Sequence, residues 1–112
     1  MPPDEYLLRY YVSADGKRPF EEWLRTLPDR NAAARVQVRL ERLGLGNFGD
    51  ARSPGKGLSE LRIDVGPGYR VYFMVEGQSV VVLLCGGDKA TQQKDIRRAR
   101  EYLTDYQRRT DV

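Results

Sequence analysis

Two arginines on neighbouring predicted strands are the side chains of this sequence best suited to chemistry on a phosphate. Arg62 lies in the alternating run LSELRIDV and Arg70 in the run YRVYFMVE, with a Gly-Pro-Gly turn between the runs. Alternation places Arg62 on the face shared by Glu60 and Asp64, and it places Arg70 on the same face of a hairpin. Two guanidinium groups on one polar face could converge on a phosphate and stabilise its developing negative charge.

The residues available for proton transfer are few. The sequence has no histidine, which excludes serine–histidine and cysteine–histidine triads and removes the commonest transition-metal ligand. Its one cysteine, Cys85, lies in an apolar run, and we expect a buried, inert thiol. The candidates for a general base are Asp88, Asp95, Lys94 and a Lys89 of lowered pKa.

Acidic residues do not form a recognisable metal site. Glu60, Asp64 and Asp88 lack the spacing of a ligand set. We therefore predict metal-independent chemistry and no cofactor.

The charge balance favours a nucleic-acid or acidic protein partner. The formal net charge is +3, and 15 of the 19 basic residues are arginine. Arginine presents a planar fork that matches phosphate and carboxylate oxygens, so this bias suits an RNA or an acidic protein. A solvated surface that happens to use arginine is the alternative on composition alone.

Length and hydropathy predict one cytoplasmic domain, residues 1–112. A chain of 112 residues with 40% hydrophobic and 31% charged residues has the balance of a single globular domain. No apolar run approaches the roughly 20 residues that cross a bilayer. The N-terminal MPPDEYLLRYYV is too polar for a signal peptide, so we expect no membrane partner.

The order of elements predicts an α+β domain of β-α-α-β-β-β-α order, with helices packed on a mostly antiparallel sheet of about four strands. An aromatic-rich strand comes first, then a helical hairpin, a glycine-rich loop, three strands and a final helix. The predicted strands are 6–12, 58–65, 69–76 and 79–85, the helices begin at Pro19, Asp29 and about Thr91, and the loop is 44–57. The apolar run 79–85 is expected in the middle of the sheet, and the 58–76 hairpin is expected to keep one polar face.

The second helix carries an arginine stripe. Arg35, Arg39 and Arg42 follow one another at spacings of four and three residues and therefore share a helix face. Solvated charge is the favoured interpretation, and a ribosome-facing surface is the alternative.

Three sequence strings resemble the RelE/ParE toxin superfamily. They are RPFEEWLRTL (18–27), GLSELRIDVGPGYRVYF (57–73) and VVVLLCGGDKATQQKDIRRA (80–99). Their joint order resembles the phage-derived, HigB-like addiction-module killer proteins, in which an ELR strand, a GYR strand and a GGDK turn precede a final helix. The resemblance implies a RelE-like fold and the toxin component of a type II toxin–antitoxin system.

The resemblance also implies roles for individual residues. RelE-like and HigB-like members cleave mRNA in the ribosomal A site, and Arg70 corresponds to their transition-state stabiliser. Arg62 corresponds to a second cation, and Lys89 to a group that binds phosphate or protonates the leaving 5′ oxygen. The expected catalytic set is thus Arg62, Arg70, Lys89, Asp88 and Asp95, with RNA bound by Lys56, Tyr72, Lys94 and Arg97. Tyr72 could stack on a base, although core packing fits it equally well.

Other functions stay open at this point. ParE-like members of the same fold inhibit DNA gyrase, and Asp64 stands where many RelE-like members have a second basic residue. A non-catalytic basic module that binds RNA or protein is a further alternative, in which the arginines form surface ion pairs with Glu60 or Asp64. A toxin implies a cognate antitoxin, expected to be a helix-turn-helix protein, together with the ribosome and mRNA as partners.

Overall fold

A five-stranded mixed sheet forms the centre of the computed structural model, which describes residues 5–110. Its order is β1-β5-β4-β3-β2. Strand β1 pairs with β5 in parallel, and every other pair is antiparallel. The strands are β1 (Leu7–Tyr10), β2 (Ala51–Gly55), β3 (Leu58–Ile63), β4 (Tyr69–Glu76) and β5 (Val80–Asp88).

Three α-helices begin where the local sequence favours a helix start. Helix α1 (Pro19–Thr26) has proline in its first turn, where the missing N–H costs nothing. Helix α2 (Arg30–Gly44) is capped by Asp29, whose carboxylate accepts from the backbone N–H of Asn31 at 2.9 Å and of Ala32 at 3.3 Å. Helix α3 (Gln92–Thr110) follows a 3₁₀ turn, Lys89–Thr91. Among residues 5–110, no helix is both long and apolar enough to span a membrane.

The helices divide the core into two layers, one on each face of the sheet. Helices α1 and α2 pack on one face, in a cluster that includes Phe20, Val36 and Phe73. Helix α3 packs on the other face, in a cluster that includes Leu58, Met74 and Leu103. The alternation predicted for β3 and β4 is confirmed, since successive residues of these strands belong to opposite clusters.

Strand β2 is a correction to the predicted four-stranded sheet. It lies inside the segment predicted as a loop, 44–57, and pairs with β3 with a register shift between Arg52 and Gly55. Its sequence, ARSPG, has no β-branched or aromatic residue and contains a proline, so local propensity gives no strand signal. Residues 51–55 adopt a strand because their backbone pairs with the free edge of β3.

One expectation about the sheet is met and another is wrong. The apolar strand β5 is an interior strand, between β1 and β4 and covered on both faces, as its composition predicts, although β4 is the central strand. The 58–76 hairpin does not keep a polar, solvated face, because α3 covers the face that carries Glu60 and Tyr72, both of which are 0% exposed. An alternating strand pattern shows which residues share a face, but it does not show whether a distant helix covers that face.

Two glycines at the end of β5 allow helices to approach the sheet on both faces. A Cβ on Gly86 would overlap the indole of Trp23 on α1, and a Cβ on Gly87 would overlap the carboxylate of Asp95 on α3. Neighbouring strand residues point to opposite faces, so the pair Gly86-Gly87 provides space for both contacts.

We predict that Gly86→Ala lowers the free energy of unfolding by about 1–3 kcal/mol, because the methyl group must displace a packed indole. Urea denaturation followed by circular dichroism measures the change. The control is Gly44→Ala, since a Cβ there would meet its nearest neighbour at 3.8 Å. Equal stability of Gly86→Ala and the wild type would contradict the close approach of Trp23.

Cys85 supplies a second test of the two-layer core. Its side chain is 2% exposed, and burial, aided by the nearby Asp95 carboxylate, raises the pKa of the thiol to about 12. We expect no reaction of the folded protein with a thiol reagent at roughly pH 8, and complete reaction after denaturation, because a protonated, buried thiol is not a nucleophile. Labelling of the native protein at the rate of a free thiol would show that α3 does not cover this strand.

Candidate functional site

The turn between β3 and β4 and the end of β5 meet at one corner of the sheet. The register pairs Tyr69 with Asp88 and Arg70 with Gly87. At Gly68, whose φ is +82°, a Cβ would lie 3.5 Å from Arg70 Nη1 and 3.6 Å from Lys89 Cβ. The positive φ favours glycine at this turn, and Arg70 Nη1 and Lys89 Cβ both border it at ordinary contact distance.

The Arg70 side chain is held nearly buried at this corner. It is 11% exposed, its Nη1 donates to the Tyr69 carbonyl at 3.1 Å, and its Nε lies 3.8 Å from Glu60 Oε1. The Nη2 atom of Arg70 makes no hydrogen bond to any of the described residues, and it is not buried. The guanidinium is therefore fixed on its inner side while one amino group reaches the surface.

Glu60 joins the hairpin to the start of α3. Its Oε2 accepts a hydrogen bond of 2.9 Å from Gln92 Nε2, and its Oε1 faces the Nε of Arg70. Within residues 5–110, neither Glu60 Oε1 nor Arg70 Nε has a hydrogen-bond partner, so the two atoms meet only as an ion pair. A carboxylate that is 0% exposed is stabilised chiefly by an adjacent positive charge, so Glu60 and Arg70 depend on each other.

The prediction that Tyr72 stacks on a base is wrong. Its ring is 0% exposed beneath α3, and burial, with the Glu60 carboxylate nearby, raises the pKa of its hydroxyl. The alternative weighed from the sequence, core packing, is what the structure shows.

Three exposed cations continue from the corner along the start of α3. Lys89, Lys94 and Arg97 line a shallow depression together with Gln92 and Gln93. None of the ion pairs found within residues 5–110 includes these cations. Their charges are therefore available to a ligand that lies across the first turns of the helix.

Two of the four candidate general bases, the carboxylates of Asp88 and Asp95, occupy different environments. Asp88 caps the 3₁₀ turn, and its Oδ1 accepts from the backbone N–H of Ala90 at 2.8 Å and of Thr91 at 3.1 Å. Asp95 is 4% exposed, accepts a hydrogen bond from the Thr91 hydroxyl and packs against Gly87. The Asp95 carboxylate is thus enclosed between α3 and β5, and its role as a general base stays a prediction.

Arg62 does not converge with Arg70 on a common point. The register places them directly opposite each other, as predicted. However, Arg62 donates to Asp50 Oδ1 from Nη2 at 2.8 Å and from Nε at 3.2 Å, and this pairing raises the pKa of Arg62. Asp50 lies outside the predicted strands and was not among the expected partners. The Arg62 guanidinium is thus paired with an exposed carboxylate, whereas the Arg70 guanidinium faces the buried Glu60.

Lys56 also lies away from the corner. It occupies the turn between β2 and β3 with a φ of 55°, at the opposite end of β3 from Arg62. Residues 57–61 separate the two, and the four of them that belong to β3 span roughly 13 Å at the strand rise per residue. The Lys56 turn lies instead beside the middle of α3, where Arg100 donates to the Gly55 carbonyl at 3.0 Å and to the Pro54 carbonyl at 2.9 Å, one helical turn after Arg97.

The sequence analysis missed residues that position the corner, namely Gln92 and Gly68. Gln92 carries no charge and has no assigned role in the string 80–99, and only the packing of α3 reveals its contact with Glu60. Gly68 was recognised as a turn residue, but its proximity to both Arg70 and Lys89 depends on the β4–β5 register. Among the described residues, no three potential ligands cluster in a way that could hold a metal ion.

Comparison with known proteins places this corner in a family context. The family model described as "Phage derived protein Gp49-like (DUF891)" matches residues 22–104, which include both strands of the hairpin, β5 and most of α3. An uncharacterized protein of Haemophilus influenzae is 51% identical to the chain over 81 residues, covering 72% of this chain and 82% of the relative. The chain therefore belongs to the phage-derived Gp49-like family, a family of the RelE-like addiction-module toxin type.

Proposed function

We propose that this chain is the toxin of a type II toxin–antitoxin pair and that it acts as a ribosome-dependent, metal-independent mRNA endonuclease of the HigB-like kind. The observation that supports this function best is that a nearly buried Arg70 guanidinium, beside Glu60 and the Tyr69 carbonyl, borders the same turn residue, Gly68, as the exposed Lys89. Family membership supports the toxin assignment in general terms.

The chemistry proposed for the corner requires no metal ion. The ribose 2′ oxygen attacks the adjacent phosphorus, the bond from phosphorus to the 5′ oxygen breaks, and a cyclic phosphate and a 5′ hydroxyl result. Arg70 stabilises the added negative charge on the phosphate, and its fixed inner side avoids reorganisation during the reaction. Lys89 donates a proton to the departing 5′ oxygen. The proton of the 2′ hydroxyl passes to Asp88, whose Oδ2 makes no hydrogen bond within residues 5–110.

The same proposal assigns RNA binding to the start of α3. Lys94 and Arg97 are exposed and share a depression with Lys89, so they can bind phosphates on either side of the cleaved bond. Arg62 and Lys56 have no part in cleavage, because the first is bound to Asp50 and the second lies at the far end of β3. A cytoplasmic location and a helix-turn-helix antitoxin as the neutralising partner complete the proposal.

Gyrase inhibition is the second candidate function. It is favoured by the environments of two expected catalytic groups, since Arg62 is engaged by Asp50 and Asp95 is enclosed. A supercoiling assay with purified gyrase and a primer-extension assay on translated mRNA separate the two candidates. A chain that is inactive in both assays would be a non-catalytic binding module.

Arg70→Ala tests the cleavage proposal directly. We expect toxin-induced cuts in a translated mRNA to fall by at least about 100-fold, because the transition-state charge loses its fixed cation. Primer extension after induced expression measures the cuts, and growth of the host reports toxicity.

The matched control for this experiment is Arg30→Ala, which removes an exposed arginine from the start of α2. It should cleave like the wild type. If growth stops in the wild type while the mRNA stays intact, the endonuclease assignment is wrong.

Glu60→Gln tests whether the buried carboxylate positions Arg70. The amide keeps an oxygen that can accept from Gln92 but removes the charge that faces Arg70 Nε. We expect cleavage to fall about tenfold or more, through disorder of the guanidinium, alongside a loss of stability of about 1–3 kcal/mol.

The comparison variant is Gln92→Ala, which loosens the contact with α3 but leaves Glu60 facing Arg70. Thermal melts place both variants on one stability scale. If cleavage declines with stability in the same way in both, Glu60 has only a structural role and the positioning argument fails.

A further inference from the structure

A second basic surface lies on the opposite face of the sheet from α3. It is a groove between α2 and the end of β3, lined by Arg35, Val38, Arg39, Arg42, Ile63 and Asp64. Helix α2 belongs to the core layer of α1, whereas the corner with Arg70 adjoins the layer of α3. The groove, here named the α2 groove, therefore lies on the other face of the sheet from the residues proposed for RNA cleavage.

The three arginines of the α2 groove are not equivalent. Arg39 is used inside the protein, where its Nη1 donates to the Arg62 carbonyl at 2.6 Å and its Nη2 to the Phe48 carbonyl at 3.2 Å. Arg35 and Arg42 are exposed and take part in none of the ion pairs found within residues 5–110. Two free guanidinium groups thus flank one that has a structural role.

An exposed aliphatic side chain lies between the two free arginines. Val38 is 42% exposed and follows Arg35 by three residues and precedes Arg42 by four. The three residues form one stripe along α2, and the two arginines are separated by about 10.5 Å along the helix axis. The stripe therefore presents positive charge, apolar surface and positive charge in turn.

This order of groups fits a protein segment better than a nucleic acid. Val38 offers nothing to a phosphate, whereas an aliphatic side chain of a protein segment can pack against it. An amphipathic helix with carboxylates two turns apart and an aliphatic residue between them would match both the spacing and the chemistry of the stripe. We propose that the α2 groove binds an acidic, amphipathic helical segment of a partner protein.

The test uses a synthetic alanine-based helical peptide with glutamates two turns apart and a leucine between them. Fluorescence anisotropy measures its binding to the full chain. Two comparison peptides replace the glutamates by lysines or the leucine by alanine, and a poly(U) oligomer serves as the RNA probe. We expect the glutamate–leucine peptide to bind at least about tenfold more tightly than either comparison peptide.

Variants of the chain identify the surface that is bound. Arg35→Glu combined with Arg42→Glu should weaken peptide binding at least about tenfold, and Val38→Asp should weaken it similarly. Arg30→Glu combined with Arg108→Glu changes the net charge equally outside the groove and should have less than about a twofold effect. Circular dichroism verifies that each variant is folded. If the double glutamate variant unfolds, the double alanine variant, Arg35→Ala with Arg42→Ala, is used in its place.

Several outcomes would overturn the proposal. If the lysine peptide bound as tightly as the glutamate–leucine peptide, the proposed charge pairing would be wrong. If the control double variant weakened peptide binding as much as the groove variant, binding would depend only on the net charge of the chain. Binding of poly(U) that requires Arg35 and Arg42 but not Val38 would identify the groove as an RNA surface. Dimerisation of the chain that is abolished by Val38→Asp would identify a second copy as the occupant. None of these results depends on mRNA cleavage, which the groove variants should retain.

Discussion

The Glu60 carboxylate has no exposed surface, and a buried carboxyl group requires polar or charged partners. Arg70 supplies a positive charge from β4, and Gln92 supplies a hydrogen bond from the first residue of α3. One side chain of β3 therefore connects a neighbouring strand to a helix distant in sequence. The arrangement fixes the guanidinium of Arg70 and also fixes the helix start that carries Lys94 and Arg97, so the geometry of the whole corner depends on this contact.

The two-layer architecture separates the basic surfaces of the molecule. Because helices cover both faces of the sheet, the cations of α2 and those of α3 are exposed on opposite sides. Several arginines are also withdrawn from any ligand by hydrogen bonds to backbone carbonyls, as for Arg39 with Arg62 and Arg100 with Pro54 and Gly55. The number of arginines in the sequence is therefore larger than the number available to bind an anion. A guanidinium group can also hydrogen-bond to backbone carbonyls and so connect loops and strands to helices.

Much of the fold follows from local patterns. The helix starts at Pro19 and after Asp29, the burial of Cys85, and the facing of β3 and β4 were all correctly predicted, because caps and side-chain periodicity are local properties. Strand β2 was not, because its composition contains no strand preference and its hydrogen bonds come from β3. The parallel pairing of β1 with β5 likewise depends on a contact between the two halves of the chain.

For the candidate site, the sequence by itself determined which cations lie near each other on the hairpin and on the GGDK turn, together with the absence of histidine. Only the tertiary structure decided their roles. Asp50 reaches Arg62 from a segment with no strand pattern, and α3 covers Tyr72 and Asp95. Burial and ion pairing arise between residues that are distant along the chain, so an alternating strand can show which side chains share a face but not what that face meets.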